Sequence, residues 1–366
     1  MSVLTQNLQT IPKAELHVHL RGMIQPKTVL ELINKYGRVK PWFRAPARHL
    51  EIFNRYPNIA ECMHRSHWDT HTVERFFRFS TFEQFLATWC FTGYLIHDID
   101  DLYLLAIGAL EYLKHEHVIY AEITVSPSEY LSGNLKFVNI VDTLHKAGTE
   151  SSVHVQWIFD LVRDNGPDRI DSLLDELLQN RTDSIVGITL GGTEHRFPPA
   201  QFKDTYGKAR RQGLHLTVHA GESMGPESIW DALTVLRVER IGHGVTSVDD
   251  PNLVTYIAEH GIPLEICPTS NIRTGLFPSL ETHPITHLYK SGVPLTINSD
   301  DPAFFGTTIT EEYLRLLKIG FTQGDVMQLI QNGFRYSFLP VDQSASYIRT
   351  VEKRISDLSR SDGRER

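Results

Sequence analysis

The feature that most constrains the fold of this chain is a regular alternation of short β-rich runs with helical patterns. Eight runs rich in Val, Ile, Leu or Thr are predicted as strands, at roughly 14–20, 118–126, 153–161, 185–191, 214–220, 240–243, 262–268 and 294–299. Helices are predicted between most of them, at 26–36, 100–115, 167–180, 226–238 and 251–260. Eight such units within about 290 residues favour a parallel sheet closed into a (β/α)₈ TIM barrel. An open doubly wound sheet is the competing architecture, but no glycine-rich phosphate loop follows the first strand.

Two segments depart from this repeat. About 97 residues separate the first two strands, and the part at 38–95 is crowded with aromatic residues and histidines. Because it follows a strand, we expect this long insertion to form a lid or wall over the barrel mouth rather than extra helices on the flank. Extra C-terminal helices are expected after the eighth strand. We therefore predict one metal-dependent barrel over 1–358 and a disordered tail at 359–366.

Composition limits the class of partner. The 366 residues carry 36 basic and 44 acidic side chains, and this net charge of −8 offers no basic stripe for nucleic acid. The three cysteines form no C-x-x-C pair, which argues against a disulfide framework. No signal peptide and no apolar run of about 20 residues is visible. We predict a cytoplasmic protein that acts on a small molecule, with no nucleic acid or membrane partner.

Polar groups follow several of the predicted strands. His17 and His19 alternate within the first strand, so both side chains lie on one face and can converge on one ion. Two buried structural histidines are the alternative interpretation for this pair. Three later strands end in further groups that bind metals or move protons, namely His219 and Glu222, His243, and Asp300 and Asp301. Chemistry gathered at the carboxyl ends of strands is typical of a barrel active site.

This set of side chains suits a metal-dependent hydrolase. Three imidazoles and one aspartate are the ligands expected of a zinc ion that also keeps a water, and such an ion lowers the pKa of that water from about 16 towards roughly 7. The fourth strand carries no lysine or carboxylate that could bridge a second metal, so one zinc per chain is favoured.

Three further residues are candidates for proton transfer. His243 and Asp301 could orient and deprotonate water, and Glu222 could protonate a ring nitrogen or leaving group. The structural alternatives are a helix-capping Glu222, a buried neutral His243 and an N-capping Asp301.

The segments at 14–20, 218–222, 240–244, 264–271 and 298–302 resemble, in order, the motifs of the adenosine/adenine deaminases, which are zinc enzymes of the amidohydrolase type. The resemblance implies a TIM barrel in which a zinc-activated water attacks C6 of an aminopurine and ammonia leaves. The implied zinc ligands are His17, His19, His219 and Asp300. The implied catalytic residues are Glu222, which protonates purine N1, and His243 and Asp301, which activate and hold the attacking water. Candidate substrate-binding residues are His19, Arg21, Asp301 and Gly192, whose amide would lie near purine N3.

The chain departs from that family pattern most clearly at Arg21, where adenosine deaminases usually have an acidic residue close to the ribose 5′-hydroxyl. Arg21 could pair with a loop carboxylate such as Glu51 or Glu61, or could bind an anionic 5′ substituent of the substrate. The sequence thus favours a deaminase of adenosine or a 5′-modified adenosine. The alternatives are a deaminase of 6-amino-6-deoxyfutalosine or another anionic 5′-substituted adenosine, another mononuclear amidohydrolase, and an inactive zinc-binding relative.

Overall fold

Eight parallel strands form one sheet in sequence order in the computed structural model, which describes residues 7–65, 67–131 and 135–362. The strands are β1 Lys13–His19, β2 Val118–Val125, β3 His154–Asp160, β4 Ile185–Thr189, β5 His215–Ala220, β6 Arg240–His243, β7 Leu264–Ile266 and β8 Leu295–Ile297. All eight lie within or close to the predicted runs. Nearly every strand residue is buried, as expected where helices cover a parallel sheet.

The barrel closes between β8 and β1 just after β8 ends. The amide of His19 donates to the carbonyl of Asp300 at 3.0 Å, and the amide of Asp300 donates to the carbonyl of His17 at 3.1 Å. The closure confirms the predicted TIM barrel. It also places the backbone of Asp300 directly beside the strand that carries the two alternating histidines.

Seventeen α-helices are found within the described residues. In chain order they are α1 Pro26–Tyr36, α2 Ala47–Arg55, α3 Pro57–His64, α4 Thr70–Phe76, α5 Phe82–Gly93, α6 Ile99–His115, α7 Phe137–Glu150, α8 Pro167–Asn180, α9 Lys203–Arg211, α10 Pro226–Asp231, α11 Pro251–Glu259, α12 Pro268–Arg273, α13 Ile285–Lys290, α14 Pro302–Phe305, α15 Ile309–Lys318, α16 Gln323–Arg335 and α17 Val341–Asp362. The single helix predicted at 226–238 is wrong in detail: after α10 the chain forms a π-helical turn, Ala232–Leu236, which Arg237 ends in a left-handed conformation.

The insertion between β1 and β2 is a helical subassembly with an aromatic core. Phe53 of α2, Phe76 of α4 and Trp42, which lies in a 3-10 turn before α2, surround Phe91 of α5, with ring centroids 5.4 to 5.7 Å from it. Burying each such ring stabilises the folded state by roughly 1.5–3 kcal/mol. The insertion therefore has a hydrophobic core of its own. Phe85 also contacts Phe304, in the helix that follows β8, at 5.8 Å. The insertion therefore packs against a loop of the barrel mouth and is not confined to the flank.

Helices α15, α16 and α17 complete the chain after β8, in agreement with the extra C-terminal helices expected from sequence. Helix α17 extends to Asp362, so the prediction of a disordered tail is wrong for 359–362, and residues 363–366 lie outside the described part. Cys62, Cys90 and Cys267 are free thiols. None of the helices in the described residues combines the length and the apolar character needed to cross a membrane.

Candidate active site

The backbone of β1 is fixed where it presents its two histidines. The Asn298 side-chain oxygen, at the end of β8, accepts hydrogen bonds from the amides of Leu16 and His17 at 2.9 and 3.1 Å. The His17 and His19 rings lie on the same face, with centroids 5.6 Å apart. The alternation seen in the sequence thus becomes a pair of imidazoles on a strand that its neighbour holds in register.

Four imidazoles from three strands meet at the barrel mouth. The ring of His17 lies 4.5 Å from that of His219 and 4.8 Å from that of His243, and the ring of His19 lies 5.4 Å from that of His219. Gly242 makes this approach possible, because a Cβ atom there would stand 2.7 Å from Cε1 of His17. The structure therefore brings together the three histidines predicted as ligands, with His243 beside them.

Asp300 joins this cluster from the closing strand. Its Oδ1 atom lies 3.2 Å from Nε2 of His19 and 3.6 Å from Nε2 of His17. The residue has a φ of 62°, which is uncommon for a non-glycine residue and typical of functional sites. Among the described residues, three overlapping sets of ligand atoms within 4.8 Å could hold an ion, namely His17 with His219 and His243, His17 with Cys267 and Asp300, and His19 with Asp300 and Asp301.

The hydrogen bonds of His17 fit a metal ligand. Its Nδ1 atom lies 2.8 Å from the carboxylate of Glu265, whereas its buried Nε2 atom has no hydrogen-bond partner among the described residues. Metal-binding histidines commonly direct one ring nitrogen to a carboxylate and the other to the ion. Glu265 is held by Arg240 at 2.6 Å, and Arg240 also pairs with Glu122. Sequence reasoning gave Glu265 no role, although it lies in the 264–271 motif.

Carboxylates favour positive charge on two of the three predicted ligand rings, whereas burial and the neighbouring histidines lower the pKa of the third, His219. Burial by itself would lower the pKa of His17, but the carboxylates of Asp300 and Glu265 outweigh burial and raise it to about 10. The pKa of His19 is likewise raised to about 9 against the effect of burial, through Asp301 and Asp300. The carboxylates near these rings thus attract positive charge strongly enough to overcome desolvation.

Glu222 lies on the loop after β5, near the histidines. Its Oε2 atom is 3.7 Å from Nε2 of His243, its side chain is 27% exposed, and burial raises its pKa. The capping alternative is wrong, because Gly225 is the N-cap of α10 and no side chain caps that helix. A partly buried carboxyl group with a raised pKa at the mouth is suited to donating a proton.

The loop that carries Glu222 is organised by Glu194, which follows β4. The Glu194 carboxylate accepts hydrogen bonds from the hydroxyl groups of Ser223 and Ser228 and from the amides of Gly221, Glu222, Ser223 and Met224. Burial would raise the pKa of Glu194, but these hydrogen bonds outweigh it and lower that pKa. The sequence does not reveal this role of Glu194, since an acidic residue in a loop does not show which amides it will bind.

Asp301 stands next to Asp300 at the mouth. Its Oδ1 atom is buried without a hydrogen-bond partner among the described residues, and burial together with the charge of Asp300 raises its pKa. Although Asp301 occupies the N-cap position of α14, its side chain makes no capping hydrogen bond, so the capping alternative is wrong. Gly22 packs closely on it, since a Cβ atom there would meet Oδ1 at 2.2 Å.

Gly192 follows the fourth strand, as predicted. The amide of His219 donates to the carbonyl of Leu190 at 3.3 Å, so the end of β4 lies beside the third predicted ligand. Gly192 has a φ of 100°, and a Cβ atom there would stand 2.3 Å from Oδ2 of Asp164. Both the conformation and the close contact require glycine. Its contact with a purine stays a prediction.

Arg21 does not pair with either carboxylate suggested from sequence. Its guanidinium binds Glu129, from the segment after β2, at 2.7 Å and lies 4.1 Å above the ring of Trp89. The predicted partners are wrong, because Glu51 and Glu61 pair with arginines of the insertion itself. The error arose because loop-to-loop distances cannot be read from sequence separation.

The insertion reaches the site through α5. The ring of Trp89 lies 6.1 Å from that of His19 and 5.2 Å from that of Phe304. The insertion therefore reaches the predicted metal ligands, and its role as a wall of the substrate pocket stays a prediction.

Comparison with known proteins identifies the relatives of this chain. A sequence profile of the adenosine deaminase family matches residues 67–354. An aminodeoxyfutalosine deaminase from Streptomyces coelicolor is 34% identical over 90% of this chain and 80% of its own length. An adenosine deaminase from Pectobacterium atrosepticum is 32% identical over 94% of this chain and 98% of its own length. The solved adenine deaminase from Arthrobacter aurescens, 27% identical, superimposes with a TM-score of 0.82 over 94% of this chain and 99% of that one.

Proposed function

Because the chain belongs to the adenosine deaminase family, we propose that it removes the 6-amino group of an aminopurine nucleoside by hydrolysis, giving the 6-oxo purine and ammonia. The observation that carries this proposal is the position of Glu222 beside a cluster of histidines and aspartates at the barrel mouth. A proton donor next to a cation site is what deamination of a ring carbon requires.

We propose that His17, His19, His219 and Asp300 hold one zinc ion per chain. The support is the unpartnered Nε2 atom of His17, its bond to Glu265, and the attraction of the site for positive charge. When bound, zinc would lower the pKa of a water towards neutrality. The fourth strand offers no bridging carboxylate or lysine, which favours a single ion. Metal analysis that gave two equivalents per chain would contradict this stoichiometry.

The side chains around the proposed ligands have separate roles in proton transfer. Glu222, whose pKa is raised by burial, donates a proton to ring nitrogen N1 as the C6 carbon is attacked. Asp301 holds the attacking water with its unpartnered oxygen, and His243 faces the same space. We assign contacts with the purine to His19, Asp301 and the amide of Gly192.

The natural substrate is proposed to carry a bulky 5′ group. Phe82, Phe85, Leu86 and Trp89 share one face of α5 by their spacing, and Phe82 and Leu86 are each 42% exposed. Their row runs outward from His19 and reaches Phe79, over which the guanidinium of Arg273 lies at 5.1 Å. An apolar wall that ends in a cation suits a flat substituent with an anionic end.

The second candidate function is therefore deamination of aminodeoxyfutalosine, the activity named for the Streptomyces relative. Arg21 is committed to Glu129, so we assign Arg21 the task of holding Glu129 and Trp89 on the substrate side. An anionic 5′ group would then depend on Arg273 and not on Arg21.

The test is direct. The purified enzyme would be incubated with adenosine, with 5′-deoxyadenosine and with a 5′-aryl-carboxylate aminopurine nucleoside. The shift of the purine ultraviolet band and the release of ammonia would be followed together. We expect deamination of all three, with the highest kcat/KM for the extended substrate. Absence of ammonia from all three would overturn the proposed function, whereas a preference for adenosine would overturn only the proposed 5′ group.

A further inference from the structure

A chain of three buried hydrogen bonds leads from the backbone to His243. The Ile285 amide donates to Nδ1 of His283 at 3.1 Å, and Nε2 of His283 lies 3.1 Å from Oδ1 of Asn271. The Nδ2 atom of Asn271 lies 3.2 Å from Nδ1 of His243. His283 is 4% exposed, and Asn271 and His243 are almost fully buried, so water does not compete for these bonds.

The backbone amide determines the direction of the whole chain. An N–H group can only donate, so Nδ1 of His283 must accept, and the hydrogen of the neutral ring is on Nε2. Burial is the larger of two causes that lower the pKa of His283 to about 3, and the nearby His243 is the smaller. The His283 ring is therefore neutral. The Nε2–H group then donates to Oδ1 of Asn271, and the amide nitrogen of Asn271 donates to Nδ1 of His243.

We propose that Asn271 and His283 are positioning residues that hold Nδ1 of His243 as a hydrogen-bond acceptor, so that the ring carries its hydrogen on Nε2. That nitrogen faces the site, 3.7 Å from Oε2 of Glu222 and 4.0 Å from Oδ2 of Asp300. Protonation of Nδ1 would set two donors against each other. If the Asn271 amide rotated, its nitrogen would donate to Nε2 of His283, and the hydrogen of that ring would have to move to Nδ1. There it would face the N–H group of Ile285, so two donors would again oppose each other.

This tautomer changes the role expected of His243. Its inward nitrogen carries a hydrogen, so it donates a hydrogen bond to the attacking oxygen and does not take the proton of the water. When the O–H bond of the water breaks, the electron pair stays on oxygen and the proton goes to the carboxylate of Asp301. His243 can therefore be a buried histidine, as the structural alternative states, and still have a function in catalysis. The inference rests on the proposed deaminase function.

The tautomer can be read directly by nuclear magnetic resonance. Histidine would be labelled with ¹⁵N in the purified enzyme, and long-range nitrogen–proton correlations would be recorded near neutral pH without substrate. Signals would be assigned by their loss in His243→Gln and His283→Gln. We expect both rings to carry the hydrogen on Nε2 and to leave Nδ1 as an acceptor. A hydrogen on Nδ1 of His243 would overturn the proposal, whatever the enzyme deaminates.

Two variants test whether this tautomer matters. In Asn271→Asp, a carboxylate that only accepts would draw a hydrogen to Nδ1 of His243, and we expect kcat to fall by about 10²-fold with KM much less affected, since a wrong imidazole tautomer can cost up to about 10⁴-fold. His283→Gln keeps an N–H group in place of Nε2–H and should retain kcat within about threefold.

His154→Gln is the matched control, since this half-buried histidine begins β3 at the opposite end of the barrel. It should leave kcat and the His243 signals unchanged. An unchanged tautomer and kcat in Asn271→Asp would overturn the proposal. If Asn271→Asp does not fold, the wild-type spectrum still decides it. Failure of the proposed function would be seen separately, as absence of deamination by the wild type.

Discussion

The two sides of the barrel mouth are built differently. On the metal side, defined here by the proposed zinc ligands, His17, His219 and Asp300 are less than one-tenth exposed, and strand ends or hydrogen bonds between neighbouring strands fix them. On the substrate side, Trp89 and Glu129 belong to an inserted helix and a loop segment, and one ion pair and ring contacts join them to Arg21. The sides meet where Trp89 approaches His19.

This difference indicates where chemistry and specificity reside. Groups placed on strands that adjoining strands hold in register keep their geometry, which catalysis requires. Side chains on inserted helices can be exchanged without disturbing the barrel, which suits a change of substrate. We therefore expect substitutions on the metal side to abolish activity and substitutions on the substrate side to change KM and selectivity.

The largest effect is expected from His17→Ala on the metal side. Loss of a ligand whose second nitrogen is bound by Glu265 should remove the zinc and lower kcat/KM by at least about 10³-fold. Zinc content and adenosine deamination would be measured together, with the exposed His115→Ala as the control. A His17→Ala enzyme with full zinc content would contradict the proposed ligand set.

Glu222→Gln should separate metal binding from turnover. The amide keeps the size of the side chain but is a much poorer proton donor, so kcat should fall by about 10²–10⁴-fold while one zinc per chain is retained. Equilibrium dialysis with zinc and steady-state kinetics would check both parts. A near-normal kcat would show that another group protonates the purine.

Glu265→Gln tests whether the hydrogen bond from Glu265 to the proposed ligand His17 contributes to metal binding, as the comparison of the two sides of the mouth implies. Removing this charge weakens the hold on His17 and leaves Arg240 paired with Glu122 alone. Zinc affinity or activity should fall by about 10–100-fold. Competition with a zinc-binding dye would measure the affinity, and an unchanged affinity would mean that the strands alone orient His17.

Arg21→Ala should produce a smaller effect of another kind. It removes the ion pair to Glu129 and the cation above Trp89, so KM for a 5′-extended nucleoside should rise by about 10-fold, corresponding to roughly 1.4 kcal/mol, with little change in kcat. Glu129→Gln and the double variant complete a cycle. Because the two residues touch, their effects should couple by about 0.5–3 kcal/mol, and strict additivity would argue against a joint role.

The smallest effect is expected from Phe82→Ala, at the outer end of the α5 face. This exposed residue should change the free energy of unfolding by no more than about 0.5 kcal/mol. KM should rise about threefold for the extended nucleoside but not for adenosine. Val138→Ala, an equally exposed apolar residue on α7, is the matched control. Equal KM changes for both substrates would remove Phe82 from the proposed 5′ wall.

The sequence by itself determined the barrel and most of the predicted metal side. Strand and helix periodicity are local properties, and parallel strands bring their carboxyl ends to one face, so His17, His219, His243 and Asp300 had to meet once each had been placed at a strand end. The same logic predicted that the insertion lies at the barrel mouth, since it follows β1.

Only the tertiary structure decided which side chains support these groups. Glu265, Glu194 and Asn271 lie in recognisable segments, but their partners are 248, 27 to 34, and 28 residues away along the chain. The ion-pair partner of Arg21 was predicted wrongly for the same reason, because Glu129 is 108 residues away along the chain. Hydrogen-bond partners are set to within a few tenths of an ångström by the packing of whole elements. Residue periodicity carries no information at that precision.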